Sequence, residues 1–343
     1  MCVKTRLCVQ KTLMYVQIKN CGGFMKKILV LTSGGDSSGM NAYIKALAKL
    51  CKQNDVELFA SLYGYKGLVQ DMVVPLFYDN LADIENLGGS VIKTSRCPEF
   101  VEEEGFKKAL ATIKKHKIDC VVVVGGNGSF NGANRLCQNG VNVLAIPGTI
   151  DNDLEYTDKT LGYDTACQNA LDDIIKIKQT MQASDRGAIV QVMGRHCPDI
   201  ALHCAILANA NLAVTGPMSN QQILQKVANI IASGNPSPVV VVQENILDVN
   251  QLALFLQTNL GKEFRASTLG YVQRGGEPTA NDKLLAIQLA CSTIKKVLGN
   301  VFGYAIGYKD GAVTSKLLCE VVAQTKQPNQ ALQNLYNQYC DKF

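Results

Sequence analysis

The sequence has little histidine, no paired cysteines and no long apolar run. Only three histidines occur among the 343 residues, and no H-E-x-x-H motif or Ser-His-Asp arrangement is evident. The 13 cysteines are odd in number and form no C-x-x-C pair. They therefore favour free thiols in a reducing cytoplasm over a disulfide framework or a zinc site. No segment approaches the ~18 apolar residues that a membrane-spanning helix needs. If the protein is an enzyme, its general base is expected to be a carboxylate.

The positive charge lies mostly at the start of the chain. The net charge is +5, but residues 1–24 carry four basic residues and no acidic one. The remainder is nearly neutral, which argues against a nucleic acid or a membrane surface as partner. Residues 1–24 also lack a proper signal-peptide core, so we expect a poorly ordered extension and a folded part that opens at Met25.

From Met25 onward, short apolar strands alternate with glycine loops and helices. Continuous apolar strands that alternate with helices indicate an α/β fold, with mostly parallel sheets covered on both faces. We predict two lobes with a cleft between them, because ligands bind beyond the carboxyl ends of such strands. Strands are expected near 28–32, 56–62, 120–124, 143–146, 189–193, 239–242 and 265–269, and helices near 40–51, 102–117, 164–182, 282–298 and 328–341.

Two glycine loops follow predicted strands. They are Ser33-Gly34-Gly35-Asp36 and Gly125-Gly126-Asn127-Gly128-Ser129. Such loops bring backbone N–H groups close to a ligand, with a helix starting behind, and so suit a phosphate. Neither matches the Walker loop or the dinucleotide fingerprint. Each loop alone is as consistent with a tight turn, but two in one α/β chain favour phosphate binding.

The segment 147–153, Pro-Gly-Thr-Ile-Asp-Asn-Asp, follows another predicted strand. If its backbone is extended, Asp151 and Asp153 point to the same side, where a metal ion or a basic group would relieve their repulsion. Taken alone, the segment is better interpreted as a solvated turn. Asp151 is nevertheless the best-placed candidate for the general base.

Five arginines lie in loops or at element edges, and their planar forks suit phosphate oxygens. Together with a metal and a carboxylate base, they fit phosphoryl transfer. These arginines are Arg96, Arg186, Arg195, Arg265 and Arg274.

From about Met25 to its end the chain resembles the 6-phosphofructokinases of the short bacterial type. The resemblance rests on five short segments in the same order, at 31–36, 95–100, 147–153, 193–195 and 273–276. It implies two Rossmann-like lobes, ATP as co-substrate with Mg²⁺, fructose 6-phosphate as acceptor, and a cytoplasmic homo-oligomer, usually a tetramer. We assign residues 25–162 with 273–325 to a nucleotide-binding lobe, and 163–272 with 326–343 to a sugar-phosphate-binding lobe.

The resemblance also implies residue roles. Asp151 would be the base for the sugar 1-hydroxyl, Thr149 would contact the transferring phosphoryl group, Asp153 would position the metal, and Arg195 would steady the developing charge. The sugar phosphate would be bound by Arg186, Met193, Gly194, Glu244, Arg265, Tyr271 and Arg274, with Arg186 and Arg265 supplied by a neighbouring subunit. The nucleotide would be bound by Gly35, Arg96, Cys97, Gly126, Asn127, Gly128 and Ser129.

Three departures from the family pattern qualify these expectations. Asn127 stands where the family usually has a metal-binding aspartate, which puts its metal role in doubt and predicts weaker magnesium binding. Tyr271 stands where a histidine usually contacts the sugar phosphate. The effector site is depleted of arginines, with Lys45, Lys49 and Lys178 in their places, so we expect little allosteric response.

Gly128 and Gly148 are the small residues of the ATP-using branch, whereas the pyrophosphate-using branch places Asp and Lys there. ATP is therefore favoured, with a pyrophosphate-using variant as the alternative. A second alternative is a catalytically weak paralogue that binds sugar phosphate as a regulatory subunit. A third is another sugar or nucleoside kinase of the superfamily, which the arginine pocket and Met193-Gly194-Arg195 disfavour.

Overall fold

The computed structural model describes residues 26–340, which fold around two separate β-sheets. The expected extension over residues 1–24 and the expected start at Met25 lie outside the described residues. The strands are β1 (Lys27–Thr32), β2 (Glu57–Ser61), β3 (Val73–Pro75), β4 (Cys120–Gly125), β5 (Val143–Pro147), β6 (Gly187–Val192), β7 (Leu212–Val214), β8 (Val239–Gln243), β9 (Phe264–Thr268), β10 (Tyr304–Lys309) and β11 (Ala312–Leu317).

The larger sheet has seven strands in the order β11-β10-β5-β4-β1-β2-β3. Its five central strands are parallel, and only the two edge pairs, β2–β3 and β10–β11, are antiparallel. Ile28 and Val30 face one core cluster, whereas Leu29 and Leu31 face the other. Both faces are buried because successive side chains in a strand point to opposite sides.

The smaller sheet has four parallel strands in the order β7-β8-β6-β9. It also carries an apolar cluster on each face. We call the parts of the chain built on the two sheets the larger and smaller lobes. The expected mostly parallel α/β fold with two lobes is confirmed. The residue boundaries assigned to the lobes stay a prediction.

Helices follow most of the parallel strands and cover the sheet faces. They are α1 (Met40–Gln53), α2 (Tyr65–Val69), α3 (Glu103–Lys115), α4 (Asn127–Gln138), α5 (Tyr163–Gln182), α6 (Asp199–Leu207), α7 (Asn220–Ala232), α8 (Val249–Leu260), α9 (Ala280–Leu298), α10 (Leu318–Val321) and α11 (Gln330–Tyr339). In the larger lobe, α1 packs on α9, where the buried Tyr43 and Thr293 hydroxyls lie 2.8 Å apart.

The apolar strands were predicted to within about two residues, but β3, β7 and the hairpin β10–β11 were not expected. β3 and β7 have only three residues each, too few to show a period. β11 is half-buried along most of its length and carries polar residues, so it lacks the continuous apolar run of a central strand. Over residues 26–340 no helix combines the length and apolarity needed to cross a membrane.

Candidate active site

A cavity of about 750 Å³ lies where the carboxyl ends of strands from both lobes meet. Parallel strands place their following loops at one edge of a sheet, which is why segments far apart in the chain converge there. All the site residues expected from the sequence except Arg186, Gly194 and Arg265 line this cavity. The residues that line it are Gly35, Arg96, Cys97, Gly126, Asn127, Gly128, Ser129, Thr149, Asp151, Asp153, Met193, Arg195, Glu244, Tyr271 and Arg274.

The two glycine loops lie side by side on the wall that the larger lobe provides. Ser129 Oγ donates a hydrogen bond to the carbonyl oxygen of Ser33 at 3.0 Å, which ties the loops together. A Cβ atom on Gly125 would lie 2.4 Å from Ser129 Oγ, so this close approach requires glycine. Because α4 begins at Asn127, directly behind the second loop, its first N–H groups lack helical partners and favour an anion.

Gly128 and Gly148 differ in what surrounds them. Apart from its chain neighbours and the nearby backbone of its own helix, no heavy atom of the described residues lies within 4 Å of a Cβ atom built on Gly128, so a side chain there would enter the cavity. A Cβ atom on Gly148 would instead lie 2.7 Å from Val124 Cγ1 in the core. Only Gly128 keeps ligand space open, whereas packing accounts for Gly148.

The segment after β5 is a turn and not an extended strand. Asn152 has a φ of 50°, in the left-handed region, so the backbone over residues 151–153 is not extended, and the condition under which Asp151 and Asp153 would point to the same side is not met. Asparagine tolerates this region better than most residues because its side chain can hydrogen-bond locally. The N–H of Asp151 donates to Thr149 Oγ1 at 3.2 Å, which bends the chain further.

Asp151 is the most perturbed carboxylate of the cavity. Burial and the neighbouring Asp153 charge together raise the pKa of Asp151 to about 6, against the opposing effect of Arg195. The side chain is 13% exposed, and its Oδ2 lies 3.7 Å from Arg195 Nε. Desolvation disfavours the ionised form, and an arginine at this distance restores part of its stability. Asp151 can therefore both release and hold a proton near neutral pH.

Asn127 and Asp153 form a hydrogen-bonded pair at the amino terminus of α4. The Asn127 amide donates to Asp153 Oδ2 at 2.9 Å and to the Asp153 carbonyl oxygen at 3.1 Å. Asp153 Oδ1 is buried and has no hydrogen-bond partner among the described residues. An unpartnered carboxylate oxygen beside an anion-binding helix terminus suits a hard cation that arrives with phosphates. Residues 26–340 contain no cluster of three or more His, Cys, Asp or Glu that could hold a metal alone.

The turn after β6 is held by Glu244, which the sequence singled out, and by two glutamines, which it did not. Glu244 Oε1 accepts hydrogen bonds from the N–H groups of Gly194 and Arg195, at 3.1 and 2.8 Å. Gln243 Nε2 donates to the carbonyl oxygen of Arg195 at 2.8 Å, and Gln273 Oε1 accepts from the N–H of Met193 at 3.2 Å. Gly194 thus contributes its backbone to this turn and does not line the cavity. Gln273 lies in one of the segments that carry the family resemblance, but the contact of either glutamine with this turn is visible only in the fold.

Arg274 turns toward the glycine loop of the larger lobe. Its guanidinium pairs with the Asp36 carboxylate, and its Nε donates to the Asp36 carbonyl oxygen at 3.1 Å. The guanidinium also lies 5.3 Å from the ring centre of Tyr271, which is 79% exposed. Asp36 is a second residue that the sequence did not single out, because its partner is 238 positions away.

Arg186 and Arg265 lie outside the cavity and share one carboxylate. Arg186 Nε is 2.6 Å from Glu263 Oε2, and Arg265 pairs with Glu263 Oε1. Two guanidinium groups on one carboxylate leave a net positive charge that suits a second anion. Within residues 26–340, none of the other residues that were expected to bind the sugar phosphate lies in this cluster.

An aromatic wall near Arg96 and Cys97 was also not anticipated. Tyr65 stacks on Phe100 with ring centres 4.1 Å apart, and the Tyr65 hydroxyl donates to the Ser129 carbonyl oxygen at 2.6 Å. Both rings line the cavity close to the second glycine loop. Flat apolar surface beside a phosphate-binding loop suits a nucleotide base.

Two of the three lysines at the expected effector site, Lys45 and Lys178, already have partners within the chain. Lys45 Nζ lies 2.6 Å from Glu85 Oε2. Lys178 Nζ donates to the carbonyl oxygens of Ala208 and Asn209, at 2.8 and 3.1 Å, beyond the end of α6. A phosphate effector would have to compete with these contacts.

Comparisons with known proteins find relatives over most of the chain. A family model described as Phosphofructokinase matches residues 27–297. The ATP-dependent 6-phosphofructokinase of Lactobacillus delbrueckii subsp. bulgaricus is 41% identical over 293 residues, which covers 85% of this chain and 92% of that protein. The ATP-dependent 6-phosphofructokinase of Clostridioides difficile (strain 630) is 38% identical over 304 residues, with 88% and 95% covered.

Solved structures show the same fold. Phosphofructokinase from Saccharomyces cerevisiae superposes with a TM-score of 0.80 at 28% identity, covering 92% of this chain. The chain spans 48% of that yeast chain, about half its length. A pyrophosphate-dependent phosphofructokinase from Marinobacter aquaeolei also gives a TM-score of 0.80, at 17% identity with 92% of both chains covered. At that identity the likeness extends to the fold alone.

Proposed function

The chain belongs to the phosphofructokinase family, and from this membership we infer that it transfers the γ-phosphoryl group of ATP to the 1-hydroxyl of fructose 6-phosphate. The product is fructose 1,6-bisphosphate, and the protein is a phosphotransferase of glycolysis. The family expected from the sequence is confirmed. The observation that carries the inference is the meeting, in one cavity, of the buried Asp151, the Arg195 guanidinium and the amino terminus of α4.

We propose that Asp151 is the general base. It would take the proton of the sugar 1-hydroxyl as that oxygen bonds to the γ-phosphorus and the bond to the departing ADP oxygen breaks. A pKa of about 6 supports this role, because the carboxylate is ionised at neutral pH and still basic enough to hold the proton. Arg195, 3.7 Å from Asp151, would orient the acceptor and stabilise the charge on the transferring group.

Asp153 and Asn127 would hold Mg²⁺ together with the phosphates of ATP. The buried, unpartnered Asp153 Oδ1 supports this assignment. When bound there, magnesium would supply positive charge that offsets part of the negative charge of the phosphates. Since Asn127 supplies an amide in place of a carboxylate, the site offers one negative charge from this pair.

Thr149 would contact the transferring phosphoryl group, and the loops with Gly35 and Gly126 would hold the nucleotide phosphates. Arg274, with Met193, Glu244 and Tyr271, would bind the sugar phosphate. Arg274 now pairs with Asp36, so sugar-phosphate binding would require that ion pair to loosen.

The donor is tested by initial rates with ATP and with pyrophosphate over a range of magnesium concentrations. Turnover with ATP alone is expected, because the open space at Gly128 accommodates the nucleotide's α-phosphate. Asp151→Asn should lower kcat by roughly 10²- to 10⁴-fold, the usual contribution of a general base. Asp172→Asn, on an exposed part of α5, is the matched control and should keep full activity.

Equal turnover with pyrophosphate would contradict the choice of donor. No turnover with either donor, in protein that still binds sugar phosphate, would support the regulatory-subunit alternative. That alternative is not favoured, because relatives named ATP-dependent 6-phosphofructokinase match over most of both chains.

We further propose that the enzyme is a homo-oligomer, with a tetramer as the expected form, and that its sites are shared between subunits. Arg186 and Arg265 lie outside the cavity of their own chain and retain net positive charge, which supports a role in a neighbouring site. Co-refolding inactive Asp151→Asn with inactive Arg265→Ala should restore activity, because some hybrid sites would combine both intact residues. Hybrids without activity would contradict sharing.

We propose a cytoplasmic location. Buried Cys51 and Cys120 are free thiols, which a reducing compartment favours.

A further inference from the structure

The residue between the two carboxylates of the turn is anchored in the opposite lobe. Asn152 is 3% exposed, and its Nδ2 donates to Asp199 Oδ2 at 3.1 Å. Asp199 is 1% exposed and is the first residue of α6, which belongs to the smaller lobe. The turn itself follows β5 of the larger lobe. The contact therefore joins the two lobes at the turn that carries Asp151.

Neighbouring contacts also hold the Asp151 turn against the smaller lobe. Ile150 is 5% exposed and packs into the apolar cluster of the smaller lobe, together with Ile200 of α6. The Cys197 thiol lies 3.8 Å from the Asn152 carbonyl oxygen. Side chain, backbone and an apolar neighbour thus all fix the turn against α6.

The same stretch of the smaller lobe carries Arg195. The carbonyl oxygen of Gly194 accepts from the N–H of Cys197 at 2.8 Å, so the turn with Arg195 is continuous with the start of α6. Asp151 and Arg195 form one link between the lobes, and Asn152 and Asp199 form a second link beside it. The hydrogen bond between Asn152 and Asp199 therefore fixes the relative position of the two lobes at which Asp151 can approach Arg195.

The backbone of Asn152 shows why the side chain is needed there. Its φ of 50° is an uncommon conformation, and asparagine and aspartate adopt it more readily than other residues with side chains. An amide in this position donates to the carboxylate of Asp199, which can only accept. Aspartate in the same position would keep the backbone but would face Asp199 with a second acceptor.

We propose that Asn152 and Asp199 are positioning residues for phosphoryl transfer, which together lock the Asp151 turn onto α6 and so align Asp151 with Arg195. The proposal rests on the function inferred above. Neither residue is assigned a contact with substrate. Removing the link should therefore lower kcat and leave the KM values for ATP and fructose 6-phosphate nearly unchanged.

The test is a swap of donor and acceptor. Asn152→Asp should lower kcat by roughly 10- to 100-fold, the usual cost of misplacing a catalytic group by about 1 Å. Asp199→Asn alone should be mild, because its amide oxygen still accepts from Asn152. The double variant, Asn152→Asp with Asp199→Asn, should recover most of the lost kcat, because the hydrogen bond then forms in the reverse direction.

Two further variants separate positioning from folding. Asn152→Gly keeps the backbone conformation without opposing charges, so it should lower kcat even if Asn152→Asp fails to fold. Thr293→Val removes a hydrogen bond that is also buried but lies in the larger-lobe core, so it should lower the melting temperature and leave kcat unchanged.

Folded Asn152→Asp or Asn152→Gly with wild-type kcat would overturn the proposal, and so would a folded double variant no better than the single one. A wild-type protein without turnover would instead overturn the proposed function. The two failures are thus distinguishable.

Discussion

Acidification should titrate the proposed base within an accessible pH range. Burial and the Asp153 charge raise the pKa of Asp151 from 3.8 to about 6, against the opposing effect of Arg195. Only the ionised carboxylate can accept the sugar proton. The rate should therefore be constant above about pH 7 and fall as the pH drops through 6.

The expected loss is large enough to measure. With a pKa of about 6, roughly one-tenth of Asp151 is ionised at pH 5, whereas an aspartate with the ordinary pKa would be more than about nine-tenths ionised. The rate at pH 5 should thus be roughly one-tenth of the plateau, against almost no loss for an unperturbed base. The shift of about two pKa units corresponds to roughly 3 kcal/mol of disfavoured ionisation.

The assay should report the ligand-free enzyme, because that is the state to which this pKa belongs. Initial rates at low ATP and low fructose 6-phosphate are proportional to kcat divided by the binding constants of both substrates. The pH dependence of this ratio reports the ionisation of groups in the free enzyme. The substrate phosphate itself titrates near pH 6, by the second ionisation of a phosphate monoester. The pH dependence of the residual rate of Asp151→Asn is the control, because any fall in rate that is caused by protonation of the substrate persists in this variant.

A pH profile that stays level from 7 to 5 would refute the assignment of a raised pKa to the base. An acid limb that persists unchanged in Asp151→Asn would refute it as well, because the limb would then belong to another group. A limb near 6 that disappears in Asp151→Asn is the expected result.

The remaining predictions concern single substitutions and regulation. Asn127→Asp should tighten magnesium binding, measured by calorimetry with ATP present, and unchanged affinity would contradict the view that the amide weakens it. Gly128→Asp should raise the KM for ATP by filling open cavity space, and an unaltered KM would show that ATP avoids it. Tyr271→His should lower the KM for fructose 6-phosphate by adding a donor that can be charged. Burial raises the pKa of Asp282 to about 6, so this residue stabilises the fold most at low pH and loses that contribution as pH rises through 6; the unfolding free energy of wild type relative to Asp282→Asn should fall by about 1.4 kcal/mol per pH unit between 4 and 6. Substrate curves should remain hyperbolic with and without ADP, and a sigmoidal curve relieved by ADP would contradict the expected lack of allosteric response.

Much of the fold was predictable because its signals are local. Four consecutive buried valines at 121–124 can only be a central strand beside glycine loops, and the structure has β4 there. The short edge elements were not predictable, since β7 owes its position to pairing with β8 and not to its own sequence. Local patterns likewise located the glycine loops and the carboxylates of the turn.

The contacts that complete the candidate site could not be read from the sequence. Asp36 and Arg274 are 238 positions apart, and Asn152 and Asp199 are 47 apart. Each pair forms only because the lobes bring their strand ends together. The extended backbone considered for residues 151–153 does not form for a related reason, since Asn152 adopts a left-handed conformation while its side chain bonds to Asp199.

The perturbed pKa of Asp151 is consequently a property of the two lobes together. The larger lobe supplies the Asp151 carboxylate and the neighbouring charge of Asp153, and burial of the carboxylate together with that charge favours protonation. The smaller lobe supplies Arg195, which favours ionisation, and the α6 anchor for Asn152. Any motion that separates the lobes would remove the arginine and admit water at the same time, and these changes act on the pKa in opposite directions. Opening of the cleft should therefore change the position of Asp151 relative to Arg195 more than it changes the pKa of Asp151.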